Sequence, residues 1–61
     1  MPRFRLLSTD GENLGLLRAA IARAEGDRIP QRGKPDLIVV RLTRAEPGDD
    51  VDGYLVVKPS A

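Results

Sequence analysis

The densest cluster of chemically competent side chains in this 61-residue chain is the run Gly48-Asp49-Asp50-Val51-Asp52-Gly53. Carboxylate oxygens on a loop are ligands for hard cations, so the run invites a calcium reading. It lacks the twelve-residue spacing and closing glutamate of an EF-hand loop. The pattern fits a solvated hairpin loop, whose charges discourage edge-to-edge pairing of strands. No metal and no cofactor is expected on it. Glu25 and Asp27 are the other close carboxylate pair.

The basic residues offer a second chemistry. Arg3 and Arg5 alternate along the first apolar stretch, Arg28, Arg32 and Lys34 flank the central polar segment, and Arg41 and Arg44 follow the longest apolar run. If strands bring some of them together, they form a patch for phosphate oxygens. Small barrels that bind nucleic acid also stack bases on aromatic side chains. The chain has one Phe and one Tyr. Phe4 is expected in the core, and Tyr54 at its rim with the hydroxyl outward. These arginines, Lys34 and Tyr54 are the candidate binding residues.

Catalytic chemistry is thinly provided. There is no His and no Cys. The usual general base, thiol nucleophile and zinc ligands are therefore missing. Ser8, Thr9, Thr43 and Ser60 have no activating base near them in sequence. The glycines do not form a phosphate loop, since Gln31-Arg32-Gly33-Lys34-Pro35 lacks the first glycine and the hydroxyl of that motif. They are expected at turns. An enzyme is not expected.

The elements that must position these residues follow from periodicity and breakers. In Pro2–Thr9, Phe4 and Leu6 point one way and Arg3 and Arg5 the other, which predicts a half-buried strand. Asp10-Gly11 predicts a tight turn, and Asn13–Leu17 a returning strand with a bulge or close backbone approach at Gly15. Leu14, Leu17, Ile21 and Ala24 share one helical face and alanines are frequent, which predicts a short helical segment near residues 17–25, after which Gly26 serves as cap and, with Asp27, as the entry to a short strand. Ile29 sits on a short strand stopped by Pro30, and residues 31–35 read as a loop. Asp36–Ala45 is the clearest strand, with four consecutive apolar residues from Leu37 to Val40. Strict alternation puts Ile38, Val40 and Leu42 on one face, and Leu37, Val39 and Arg41 on the other, where Leu37 and Val39 are expected to stay exposed. Tyr54–Lys58 is the last strand, closed by Pro59.

The pattern Asp10-Gly11, Leu14-Gly15, Gly26-Asp27 with Ile29, Val39-Val40, an acidic loop, and a closing Gly53-Tyr54-Leu55-Val56-Val57 before Pro59 resembles a group of short proteins from high-GC Gram-positive bacteria that are themselves similar to SH3-like small β-barrels. The resemblance spans most of the chain, and its motifs are individually common. Arg5–Gly15 is also faintly similar to the opening hairpin of the N-terminal domain of bacterial translation initiation factor three. The first resemblance implies a mainly-β, SH3-like barrel of about five strands. The second implies the alternative, an α+β, β-grasp-like sheet crossed by one helix over 16–25.

Charge and length bound the function. Ten basic and nine acidic side chains give a net charge of +1, too little for strong non-specific attraction to nucleic acid or an anionic membrane. No apolar run approaches the roughly 20 residues that span a bilayer. A single domain and a cytoplasmic location are expected. So short a chain buries only about 60% of its unfolded surface. Without disulfide or zinc, self-association is one remaining source of stability. The expected function is a non-catalytic binding or interaction module whose partner is a protein or a second copy. The alternative is a nucleic-acid-binding barrel using the arginines.

Overall fold

The computed structural model describes residues 2–18 and 24–60. Five strands follow in chain order: β1 (Arg3–Ser8), β2 (Asn13–Arg18), β3 (Arg28–Gln31), β4 (Lys34–Arg44) and β5 (Gly53–Pro59). They form one sheet in the order β2-β1-β5-β4-β3. The first and last strands pair in parallel at its centre, and each is flanked by antiparallel neighbours. The sheet curls into a half-barrel, which bears out the expectation of a mainly-β, barrel-like fold with five strands. No helix among the described residues is long and apolar enough to cross a membrane.

The inner face holds the core: Phe4 and Leu6 from β1, Ile29 from β3, Leu37 and Val39 from β4, and Leu55 and Val57 from β5. Leu55, Val39 and Val57 are at most 1% exposed. A flat single sheet would leave such a face open to water. The curl brings Ile29 on the edge strand into the same cluster as Phe4, and Leu17 of β2 packs against it. Burial of this apolar surface is the main stabilising term.

The turns follow from local chemistry. Ser8 Oγ accepts the N–H groups of Asp10 (3.2 Å) and Glu12 (3.0 Å), and Gly11, at φ 89°, takes the left-handed conformation that closes the first hairpin. Gly26, at φ 88°, lies in the turn that leads into β3. Ala24 N–H donates to Asp27 Oδ2 (2.8 Å) and Asp27 N–H to the Ala24 carbonyl (3.1 Å), which makes a tight turn. Gly26 N–H and the Asp27 carbonyl then both bond to Val39, so the segment opens β3. Of the predicted helix, Leu17 and Arg18 belong to β2 and residues 24–25 to this turn, while residues 19–23 lie outside the described residues.

Three further expectations are corrected. Pro30 does not stop β3, which continues to Gln31. The ladder shifts register between Ile29 and Gln31, at the residue that lacks an N–H. The predicted loop 31–35 shrinks to a two-residue turn, Arg32-Gly33, because Gln31 and Lys34 are already paired. Leu37 and Val39 are buried rather than exposed. A bulge in β4 uncouples their phase from that of the residues that follow: Val39 opposes Val57 and Arg41 opposes Val56, so Val40 is left between them. The bulge shifts the alternation by one residue. Arg41 then faces outward and Leu42 shares the inner side with Leu55, while Val40 is 41% exposed.

Candidate functional site

The outer face carries most of the polar chemistry. Arg5 and Tyr54 are register partners on the parallel pair β1–β5, so they stand side by side on that face. The loop of residues 45–52 folds back onto them. Tyr54 Oη donates to Asp49 Oδ2 at 2.7 Å and accepts the Glu46 N–H at 3.2 Å. Arg5 Nη2 donates to Asp49 Oδ1 at 3.2 Å and lies 3.6 Å from Asp50 Oδ1. Arg3 completes the attachment. Its N–H donates to Asp52 Oδ2 at 2.7 Å, its carbonyl accepts the Asp52 N–H at 2.7 Å, and its Nη2 donates to the Asp50 carbonyl at 2.6 Å.

This geometry fixes the protonation states. The Tyr54 hydrogen bond, reinforced by the Arg5 guanidinium, lowers the Asp49 carboxyl to about 2, against the opposing effect of partial burial. The same hydrogen bond raises the Tyr54 phenol above its ordinary value. At neutral pH Asp49 is therefore a weak base and Tyr54 a firmly protonated hydroxyl. The pair latches the loop to the sheet. The three aspartates do not converge on one point: Asp49 turns to Arg5 and Tyr54, and Asp52 to the Arg3 backbone. Among the described residues no group of three carboxylates is placed to hold a metal ion.

The remaining candidate binding residues are dispersed. Arg28 and Arg41 stand on the outer face. Arg28 pairs with Ile38, which pairs in turn with Lys58, and Arg41 pairs with Val56. Arg32 and Lys34 sit at the exposed tip of the β3–β4 hairpin. Arg44 opposes Gly53, as Phe4 does, so it belongs to the inner side. There it lines a shallow groove at one end of the half-barrel with Pro2, Phe4, Leu42 and Asp52. Lys34 lines a second groove at the opposite end with Ser8, Leu14, Leu37 and Lys58. Only Arg3 and Arg5 come together, and both are already engaged by the acidic loop. Phe4 is 5% exposed and Tyr54 half-buried, so neither offers an open aromatic face.

Two features escaped sequence reasoning. Lys58 shares the outer face with Arg28, a placement that the period-two sequence Tyr54, Val56, Lys58 signals. The Arg5–Asp49 ion pair joins residues 44 positions apart and leaves no local trace. No family model, no curated protein and no solved structure matches this chain. The described residues define the class only coarsely: a small mainly-β half-barrel with β2 and β3 as edge strands and a latched acidic loop.

Proposed function

We propose that this chain is a non-catalytic interaction module whose partner is a protein or a second copy of itself. The observation that carries the reading is the exposure of Leu14, Leu16, Val40 and Leu42, each 41–54% accessible, on so small a fold. Single exposed apolar residues are ordinary. Leu14 and Leu16 differ in lying on an edge strand, β2, which among the described residues is paired on one side only, with β1.

A second reading has one observation in its favour. Arg28, Arg41 and Lys58 share the outer face, and among the described residues the ion pairs are those of Arg5. Such a face can neutralise phosphates of a nucleic acid. The dispersal of these cations and the lack of an open aromatic platform rank it second.

Cross-linking in the native cell, followed by capture of the full chain with and without nuclease, separates the two. A protein recovered equally in both arms, and lost with Leu16→Lys or Leu42→Lys, supports the first. Recovery abolished by nuclease, with binding to single-stranded RNA that falls steeply with salt, overturns it in favour of the second.

A further inference from the structure

The two edges of the sheet differ in how they are protected. On β3, four residues long, Pro30 removes a backbone donor and breaks the ladder. Short length and proline are devices that discourage strand addition. On β2, six residues long, there is no proline and no lysine. Among the described residues its protections are the terminal charge of Arg18 and a bulge at Leu14, where Gly15 N–H is satisfied locally by Asn13 Oδ1 at 2.9 Å. Beyond the bulge the ladder to β1 is regular through Leu16, Leu17 and Arg18. Leu16 is 54% exposed, the most of any large apolar side chain described.

The charges on this edge are polar in the sense of direction. Asp10 and Glu12 precede the strand and Arg18 ends it. All three are exposed. Parallel addition of a second β2 would set like charges together. Antiparallel addition about a two-fold axis sets Arg18 of each chain toward the acidic hairpin end of the other, twice. Leu16 then meets Leu16 of the second copy near the axis. An isologous contact needs this kind of self-complementarity. Because Leu16 opposes Arg5 on β1, the apolar contact falls on the outer face, and the two half-barrels continue one into the other.

We propose that β2 is a pairing edge, along which two copies of the chain join antiparallel into one continuous ten-stranded sheet. This rests on the reading of the chain as an interaction module and names its partner and surface. A six-residue edge buries less than the roughly 1,000 Å² of a stable interface, so the dimer forms reversibly with concentration.

Sedimentation velocity of the purified full chain from about 10 µM to about 1 mM tests the proposal, a range that spans weak association. The expected result is a shift from monomer to dimer, with amide exchange at Leu16 and Arg18 slowing as concentration rises. Leu16→Lys sets two like charges at the axis and should raise the dissociation constant at least about tenfold, since each 1.4 kcal/mol is a factor of ten. Arg18→Glu and Glu12→Arg should each weaken the dimer. The double variant Glu12→Arg/Arg18→Glu should restore it to within about twofold, because complementary pairs contribute through their sign. Circular dichroism of each variant confirms that the fold is kept. A monomer throughout the concentration range overturns the proposal, as does a dimer indifferent to Leu16→Lys or a double variant that fails to recover. In each of those cases a heterologous protein captured from the native cell would still support the interaction-module reading.

Discussion

Tyr54 Oη and Asp49 Oδ2 lie 2.7 Å apart, and this hydrogen bond couples the acidic loop to the centre of the sheet. Arg5 approaches the same carboxylate from the adjacent strand, so the two side chains that hold Asp49 are themselves held side by side by the β1–β5 register. The arrangement orients a loop by means of strand pairing, and its consequences can be measured as acidity.

Stability should respond to pH at two distant limits. The folded Asp49 carboxyl lies near 2, below its ordinary value of 3.8, so its contribution is complete above about 4 and is lost as pH falls toward 2. The Tyr54 phenol is shifted the other way. Its contribution is complete below its ordinary value of 10.0 and is lost as pH rises through the higher folded value. Between these limits the pair contributes a constant amount. Thermal unfolding followed by circular dichroism should show Tm falling below pH 4 and above pH 10. A Tm that rises on acidification from pH 4 to pH 2 would contradict the latch.

Tyr54→Phe removes the hydroxyl and leaves the ring in place. Asp49 should then titrate closer to the ordinary carboxylate range, and the amides of residues 46–52 should exchange faster. A two-dimensional NMR titration of the Asp49 carboxyl reads the first effect directly. An Asp49 that still titrates near 2 in the variant would assign the shift to Arg5 alone.

Val39 and Val40 are adjacent, yet they should tolerate substitution very differently. Val39 is 1% exposed in the core, and Val40 is the 41% exposed residue of the bulge. Val39→Ala removes buried methyl groups and leaves a cavity, at a cost of about 2–3 kcal/mol. That is a large fraction of the stability available to a domain of this size. Val40→Ala should cost about 0.5 kcal/mol or less, as at other surface positions. Deletion of Val40 should leave Val39 inward, Arg41 outward and Leu42 inward, because those residues already match a regular ladder across the bulge. Urea denaturation measures all three variants: equal losses for Val39→Ala and Val40→Ala would refute the inward placement of Val39, and a Val40 deletion that unfolds the chain would refute the bulge.

That bulge marks where the sequence stops being legible. Strands were readable from alternation in Phe4–Leu6 and from β-branched content in Leu37–Val40 and Leu55–Val57, and the hairpin turn from Asp10-Gly11. Four consecutive apolar residues, however, carry no phase, so Leu37–Val40 does not reveal which of its faces is buried. The helical spacing across Leu14–Ala24 competed with strand pairing, and the β1 ladder claimed Leu16–Arg18. The parallel pairing of β1 with β5 has no local signal at all. Arg5 and Tyr54 could each be named as candidates, but what they hold depends on a contact spanning almost the whole chain.

Gly53 carries the last prediction. Its place beside the acidic run reads as a turn, yet it is the first residue of β5, is buried, and has no positive φ. Its lack of a side chain matters for space. A Cβ there would lie 3.0 Å from the Thr43 carbonyl oxygen and 3.4 Å from two carbons of the Phe4 ring. The Thr43 oxygen is backbone of the neighbouring strand and yields only if the ladder moves. The Phe4 ring is fixed in the core. Gly53→Ala should therefore destabilise by about 1–3 kcal/mol through overpacking, whereas an exposed strand glycine normally gains from alanine. Phe4→Leu in the same chain frees space beside the ring and should recover part of that loss, which a double-mutant cycle by urea denaturation measures. Additive losses would show that the Thr43 backbone alone sets the limit, and a Gly53→Ala variant more stable than the parent would refute the close approach altogether.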